Sequence, residues 1–261
     1  MSLITYDSLN KFTSIAHFCA VRDGGASLGN FASFNLSPFS GDNPKHFKEN
    51  LQILSKLTGI GAEEIIIPFQ THGTEIREIN PDFFLLSSKE KSEYLRGVDA
   101  LITRTPNVCI GVTIADCVPI LFYDPQKNVI AVAHAGWRGT CARIAEKTVQ
   151  SLIENFNSNP ADVFVTIGPS ISVEVYQVGE EVVQIFENAG FDLLKIVKFK
   201  DGALFLDLWK ANQLSLENIG ILSEHIEIAG ICTFTQHEKY FSARRLGIKS
   251  GRMLTGIMLI D

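Results

Sequence analysis

Long apolar runs and an excess of basic residues are both missing from this 261-residue sequence. No stretch approaches the roughly 18 apolar residues that a membrane-spanning helix requires, so no membrane association is predicted. Asp and Glu number 29 against 23 Lys and Arg, for a net charge of -6, whereas a nucleic-acid-binding protein usually carries a basic face. Residues 1–11 lack the basic segment followed by an apolar one that marks a secretory signal, and a cytoplasmic location is therefore expected.

Cysteine and histidine are also scarce. An odd number of cysteines in a chain of this length predicts reduced thiols rather than a disulfide framework, and most of them are expected to be small buried side chains. The five are Cys19, Cys109, Cys117, Cys141 and Cys232. The six histidines include no His-x-His pair, which argues against a multicopper oxidase because several copper ions need many more imidazoles.

The apolar content, 46% of all residues, is enough for a full hydrophobic core. Neither a tandem repeat nor a linker divides the sequence, and residues 1–261 are interpreted as one domain. Strands and helices mix without strict alternation, which predicts an α+β fold with a mixed sheet. The clearest predicted elements are a helix at 44–57, strands at 109–114, 120–123 and 129–134, and a helix whose apolar positions run from Cys141 to Phe156.

The residues that indicate chemistry lie in the central strands. Asp124 to Lys127 are turn residues, and a hairpin with its tip there places Cys117 and His134 at equal distances from its centre. Antiparallel pairing would set the thiol and the imidazole side by side at the open end of the hairpin. Such a pair could share a metal ion or act as nucleophile and base, and the spacing leaves both alternatives open.

His72 is the natural third member of this site. It follows an apolar strand and precedes Gly73, so we expect it on a loop at a strand end. Two His and one Cys would leave a fourth coordination position open, as in catalytic zinc sites. Asp116 is a candidate to orient one of the ligands. A buried structural role for Cys117 and surface positions for the histidines are the plainer alternatives.

Arginines next to glycines are candidate phosphate-binding residues. Arg138 lies between Gly136 and Gly139, where the start of a helix offers free N–H groups to an anion and the guanidinium would add a forked donor. Arg22 precedes a second glycine-containing loop, and the pair Arg244–Arg245 is a third and weaker candidate. An ordinary surface ion pair is an equally good interpretation of Arg138, and a solvated basic face is the usual interpretation of a pair such as Arg244–Arg245.

Several short segments together resemble the YfiH family, also called the multicopper polyphenol oxidase or laccase-domain family and described more recently as purine nucleoside phosphorylases. The resemblance covers nearly the whole chain. The segments around His72, Cys117 and His134 are highly specific in combination, and Ala26 and Gln177 stand where the family often has Val and Glu. The matching segments are residues 22–27, 34–36, 41–42, 70–73, 99–103, 115–119, 133–139, 167–169 and 241–245.

The resemblance implies a fold, a metal site and an activity. It implies an α/β/β/α sandwich with mixed sheets, like that of bacterial toxin cysteine hydrolases, and a zinc ion on His72, Cys117 and His134, with copper less favoured. The implied reactions are phosphorolysis of adenosine, inosine and S-methyl-5′-thioadenosine and hydrolytic deamination of adenosine. For phosphorolysis, Arg138 is the first candidate to bind phosphate and Arg22 the second. The alternatives are a metal-free Cys117–His134 amidase acting on a peptidoglycan precursor, a partner-binding protein with structural zinc, and a copper-dependent polyphenol oxidase.

Overall fold

The structure, a computed structural model, describes residues 3–261. Within them the chain forms fourteen β-strands and nine α-helices, and none of these helices is both long and apolar enough to cross a membrane. The strands are β1 (Leu3–Ile4), β2 (Ile15–Ala20), β3 (Ile65–Ile66), β4 (Glu75–Glu78), β5 (Val98–Thr103), β6 (Cys109–Ile114), β7 (Val118–Asp124), β8 (Val129–Ala135), β9 (Phe164–Ile167), β10 (Gln177–Val178), β11 (Val197–Lys200), β12 (Ala203–Leu206), β13 (Ile226–Ile228) and β14 (Met253–Leu259). The helices are α1 (Asp7–Asn10), α2 (Pro44–Thr58), α3 (Ser88–Tyr94), α4 (Trp137–Cys141), α5 (Ile144–Phe156), α6 (Glu180–Asn188), α7 (Leu193–Ile196), α8 (Leu208–Asn218) and α9 (Ala243–Leu246).

Two mixed sheets stack face to face at the centre of the molecule. The first has the strand order β1-β2-β14-β6-β3 and the second β13-β9-β7-β8-β5-β4, while β10, β12 and β11 form a small separate sheet. Val112 of β6 and Val132 of β8 belong to one buried apolar cluster between the two large sheets. Helix α2 covers the outer face of the first sheet through Leu54, and α5 and α8 cover the outer face of the second. The predicted α+β fold and its α/β/β/α layering are therefore confirmed.

Alternation along β7 and β8 decides which side chains face the space between the sheets. Leu121 and Val132 pack into the inter-sheet cluster, whereas their neighbours Ile120 and Ala133 pack against the helices, as the two-residue period of a strand requires. His134 lies two residues after Val132 and therefore points to the same face of β8. Its side chain accordingly lies at the end of the layer between the two sheets.

The β7–β8 hairpin differs from its predicted register by two residues. Pro119, not Cys117, pairs with His134, because the turn between Asp124 and Val129 is centred one residue later than the sequence indicated. Displacing the centre of a turn by one residue displaces the pairing by two, and a shift of two leaves each side chain on its original face. The expected direct pairing is wrong, but Cys117 and His134 remain diagonal neighbours on one face.

Of the two helices predicted around the central strands, one is confirmed and the other is divided. Helix α2 begins after Asn43, whose side chain accepts a hydrogen bond from the N–H of Lys45, and ends at Gly59 with φ 75°. The predicted helix after His134 consists instead of α4 and α5. Arg143 separates them with φ 61°, a left-handed conformation that no continuous helix of L-residues accommodates.

Candidate active site

The three side chains predicted as metal ligands converge in the structure. One ligand atom from each of His72, Cys117 and His134 lies within 4.8 Å of the others. The two imidazole rings are nearly perpendicular, with centroids 4.8 Å apart. His134 is buried, Cys117 is half-buried and His72 is exposed. The group is therefore held by protein on one side and open on the other, which suits a metal that also binds a reactant.

Each ligand stands where a regular element ends. The chain leaves the first sheet at the end of β6 and enters the second at the start of β7, and Cys117 lies on this three-residue crossing. His134 is the penultimate residue of β8. His72 occupies a turn before β4 with φ 64°, a left-handed conformation that is uncommon for a residue with a side chain. Strand ends of both sheets thus contribute to a single site.

Asp99 connects two of the three ligands. This fully buried carboxylate on β5 accepts hydrogen bonds from the backbone N–H groups of Thr71, His72 and Gly73 at 3.2, 3.1 and 2.7 Å. Its Oδ1 also lies 2.8 Å from Nδ1 of His134. A carboxylate at Nδ1 keeps the proton there and leaves the Nε2 lone pair free for a metal. Asp99 therefore both folds the turn that carries His72 and orients His134.

Gly136 leaves the space that two of the ligands occupy. A Cβ added at this residue would lie 2.9 Å from Cδ2 of His72 and 3.1 Å from Sγ of Cys117. Contacts this short force one of the atoms to move. Any larger residue at position 136 would consequently displace a ligand, although the backbone of Gly136 itself has an ordinary φ of -66°.

Asp116, the residue expected to orient a ligand, has other partners. Its carboxylate accepts hydrogen bonds from the hydroxyls of Thr233 and Ser242 at 2.7 and 3.0 Å and from the backbone N–H of Arg244 at 2.7 Å. It holds the segment between β13 and β14 against the Cys117 crossing. The orienting contact to a ligand comes from Asp99 instead.

The buried charges of the site stabilise one another. Burial by itself raises the pKa of the Cys117 thiol, but the adjacent His134 and His72 outweigh it and lower the pKa to about 6. Burial lowers the pKa of His134, but Cys117 and Asp99 outweigh it and raise the pKa to about 9. The pKa of Asp99 is likewise below its usual value, since hydrogen bonds from His134 and the turn outweigh burial. In the absence of metal, the favoured state at neutral pH is a thiolate beside an imidazolium.

Two cavities meet at the ligand group. His72 and Cys117 line both of them, and His134 lines the larger. The large cavity, about 390 Å³, opens between residues 37–40, 69–72, 113–115 and 248–252. The small cavity, about 130 Å³, is also lined by Arg138, Tyr176 and Ile171. His72 and Cys117 therefore form a wall that the two cavities share.

The two arginines proposed for phosphate differ in their surroundings. Arg138 is exposed, lines the small cavity and stacks on the Trp137 ring with its Cζ 4.2 Å from the centroid. Arg22 lines neither of the two cavities. Its guanidinium donates to the backbone carbonyls of Ala32 and His237, both at 2.7 Å. The structure thus brings Arg138 to the ligand group and engages Arg22 in holding two loops together.

Several lining residues were not identified from the sequence. Gln70 exchanges hydrogen bonds with the backbone of Thr113 at 2.9 and 2.8 Å and so attaches the His72 turn to the first sheet. Tyr176 and Arg252 come from distant segments that no local pattern connects to the site. Asp99 did carry a signal, because it is a lone charge within the apolar strand β5, and a buried carboxylate in a strand requires partners.

Comparison with known proteins agrees with the resemblance seen in the sequence. Residues 16–260 match the family described as multi-copper polyphenol oxidoreductase laccase. A purine nucleoside phosphorylase from Bacteroides thetaiotaomicron is 44% identical over 259 residues, which cover 98% of this chain and 96% of that protein. A protein named adenosine deaminase RL5, from an unknown prokaryotic organism, is 37% identical over 229 residues, which cover 87% of each chain.

Solved structures show the same fold. The hypothetical protein YfiH from Bacillus licheniformis superposes with a TM-score of 0.90 at 29% identity, over 99% of this chain and 96% of that one. YlmD from Geobacillus stearothermophilus superposes with a TM-score of 0.89 at 30% identity, over 96% and 93% of the two chains. With a family match over nearly its whole length and relatives above 30% identity at almost full coverage, this chain belongs to the YfiH family, described as multi-copper polyphenol oxidoreductase laccases.

Proposed function

We propose that this protein is a zinc-dependent purine nucleoside phosphorylase that also deaminates adenosine. His72, Cys117 and His134 hold the metal. The observation that carries the proposal is the convergence of their three ligand atoms, within 4.8 Å of one another, on a wall shared by two cavities. The names of the relatives from Bacteroides thetaiotaomicron and of RL5 support the same two reactions.

The residues present fit a zinc ion. Two imidazoles and a thiolate are ligands that zinc accepts, and three protein ligands leave a position open for a reactant. The carboxylate of Asp99 behind His134 is the usual support for a ligating histidine. Phosphorolysis and deamination transfer no electrons, so a metal without redox chemistry is sufficient, and copper is not required despite the family description.

The large cavity is the place for the nucleoside. Its volume of about 390 Å³ is within the range of small-molecule sites, roughly 300–1,000 Å³. Its walls combine the aromatic rings of Phe39 and Phe69 with the polar side chains of Ser37 and Gln70. A purine base offers flat apolar faces and a polar edge, and a ribose offers hydroxyls, so this mixture matches both halves of the substrate.

The small cavity is the place for phosphate. Arg138 supplies a guanidinium, which binds phosphate oxygens through paired hydrogen bonds. Burial, together with the negative charges of Cys117 and Asp116, raises the pKa of Tyr176 to about 12. Its hydroxyl therefore keeps its proton at neutral pH and is a hydrogen-bond donor. Substrates bound in the two cavities would both lie next to His72 and Cys117, which line both.

The two reactions place different demands on these residues. In phosphorolysis a phosphate oxygen bonds to C1′ of the ribose while the C1′–N9 bond breaks and the purine leaves with a proton, so Arg138 and Tyr176 hold the attacking phosphate. In deamination a water oxygen bonds to C6 of adenine and the 6-amino group leaves as ammonia, so the small cavity is not needed. When bound, the zinc ion supplies a Lewis acid at the shared wall.

One observation favours a second candidate, a metal-free hydrolase of amides such as those of a peptidoglycan precursor. Without metal, Cys117 and His134 form a thiolate–imidazolium pair, with pKa values of about 6 and 9. Such a pair is the activated nucleophile of cysteine hydrolases. Zinc and this role exclude each other, because a metal-bound thiolate is a weak nucleophile.

The deciding experiment incubates the purified protein with adenosine, with and without inorganic phosphate, and measures its metal content. Adenine and ribose 1-phosphate formed only with phosphate demonstrate phosphorolysis, and inosine formed without phosphate demonstrates deamination. One zinc per chain, removed by a chelator together with both activities, supports the metal site. No conversion of adenosine by the zinc-loaded protein, with or without phosphate, would overturn the proposal. Amide hydrolysis by metal-free protein would favour the second candidate.

A further inference from the structure

Large apolar side chains are concentrated at the mouth of the large cavity. Phe39 is 49% exposed, Phe69 is 40% exposed and Ile248 is 82% exposed, and all three line the cavity that also holds the ligand group. Exposed apolar surface gathered around a polar site commonly marks a place where a ligand is covered. These residues are therefore candidates for contact with substrate.

Phe39 and Phe69 already contact each other across the mouth. Their ring centroids are 5.0 Å apart and the rings stand at 88° to one another. In an edge-to-face pair the ring that contributes its edge keeps both of its own faces uncovered by its partner, although Arg96 Cζ lies 5.9 Å from the centroid of Phe69. We call these two residues the aromatic pair.

The two members of the aromatic pair are supported differently. The backbone N–H of Phe69 donates to Leu95 O at 2.9 Å and its carbonyl accepts from the N–H of Gly97 at 2.8 Å. Phe69 is also only three residues before His72. The position of this ring is thereby tied to that of a metal ligand.

Phe39 lies instead on a loop held by polar side chains. Its N–H donates to Ser37 Oγ at 3.3 Å. The amide of the buried Asn35 donates to Ser40 Oγ at 2.8 Å and to Asp42 Oδ2 at 3.1 Å. The same loop is also bonded to a distant segment, because Asn35 Oδ1 accepts from the N–H of Arg252 at 2.9 Å and the N–H of Leu36 donates to the carbonyl of Arg252 at 2.9 Å. Both rings are therefore held at the cavity by bonds to other parts of the fold.

We propose that the aromatic pair holds the purine base of the nucleoside, with one ring stacked on its face and the perpendicular ring packed against its edge, and that it selects purine over pyrimidine nucleosides. This inference rests on the proposed function and names the residues that determine its specificity. A two-ring base covers more aromatic surface than a one-ring base, and stacking is tolerant of the substituents that distinguish adenine from hypoxanthine. One stacking site therefore accepts several purines and still discriminates against uridine.

The test uses the zinc-loaded protein without phosphate and titrates it with inosine and with uridine by calorimetry. Wild type is expected to bind inosine at least about tenfold more tightly than uridine, and Phe39→Leu and Phe69→Leu are expected to weaken inosine binding about tenfold while changing uridine binding much less. Phe84→Leu is the matched control, because Phe84 is 38% exposed but lines a different groove, and its inosine affinity should equal that of wild type.

A second variant separates stacking from a merely structural role. Phe39→Trp keeps an aromatic face, so it should retain inosine affinity, and inosine but not uridine should quench the emission of the new indole. If both leucine variants keep one zinc per chain and bind inosine as wild type does, the stacking role is wrong while the proposed function stands. If wild type neither binds nor converts inosine, the proposed function fails, and the stacking role fails with it.

Discussion

The large and the small cavity share His72 and Cys117, yet their remaining walls differ in chemistry. The large cavity is lined by aromatic rings and neutral hydroxyls and amides, with Arg252 donating to the backbone carbonyls of Ser250 and Ile248 at 2.7 and 2.8 Å. The small cavity is lined by an exposed arginine, a phenol and Asp116, whose carboxylate already accepts three hydrogen bonds. The difference suggests a division between a space for a nucleoside and a space for an anion. Variants of the shared wall should affect both phosphorolysis and deamination, whereas variants of the small cavity should affect phosphorolysis alone.

Loss of Cys117 should have the largest effect, because it belongs to both cavities. Cys117→Ala removes a metal ligand, and a metal ion contributes several kcal/mol to transition-state stabilisation, so both phosphorolysis and deamination should fall by about 1,000-fold or more. Steady-state kinetics and zinc analysis measure the result. Cys141→Ala is the control, since Cys141 lines neither cavity. A fully active, zinc-containing Cys117→Ala would contradict the ligand assignment.

Variants of the two buried aspartates next to the ligands should differ in effect, one on zinc affinity and the other on thermal stability. Asp99→Asn removes the acceptor charge behind His134 and should weaken zinc binding by about 10- to 100-fold, in competition with a chelator. Asp116→Asn should leave zinc affinity nearly unchanged and lower the thermal midpoint, because Asp116 bonds to Thr233, Ser242 and Arg244. Equal losses of zinc affinity in the two variants would show that the contact between Asp99 and His134 does not determine zinc affinity.

A variant of Arg138 should impair the reaction that uses the small cavity and spare the reaction that does not. Arg138→Ala removes the guanidinium of the small cavity, and hydrogen bonds to a charged group contribute about 1.5–3 kcal/mol, so KM for phosphate should rise by about tenfold or more. Deamination of adenosine, which uses no phosphate, should stay within about twofold of wild type. Arg22→Ala is the comparison, because it loses bonds to Ala32 and His237 and should destabilise the fold without changing KM for phosphate. If instead KM for phosphate rises in Arg22→Ala and stays unchanged in Arg138→Ala, the anion site belongs to Arg22.

Proton release on metal binding tests the state of the shared wall. A metal takes the thiolate of Cys117 and neutral His134. Between the pKa of the thiol, about 6, and that of the imidazole, about 9, only His134 must lose a proton. These two groups should therefore release about one proton per zinc near pH 7.5 and about two below pH 6. Calorimetry in buffers of different ionisation enthalpy counts them. Because a neutral thiol beside a neutral imidazole would also release one proton near pH 7.5, the ultraviolet absorbance of the thiolate in the metal-free protein decides between the two states. It should appear with a midpoint near pH 6, and an appearance only near the ordinary pKa of a thiol would exclude the ion pair.

Much of the layered fold could be predicted because its elements depend on local patterns. Helix α2 has a capping asparagine at one end and a glycine at the other, and β6 to β8 are apolar segments separated by turn residues. The register of the β7–β8 hairpin was missed by two residues, since the tip was placed one residue early. The prediction that Cys117 and His134 share a face survived this error because side-chain direction repeats every two residues.

The sequence by itself determined the types of the three candidate ligands, the position of each at the end of a predicted strand, and the family. Only the tertiary structure decided that Asp99, 27 residues after His72 and 35 before His134, bonds to both, and that Gly136 leaves room for two ligands. It also decided that Arg138 and not Arg22 borders the ligand group. The physical reason is that hydrogen bonds and steric contacts between distant segments depend on how the two sheets are packed, which no local pattern records.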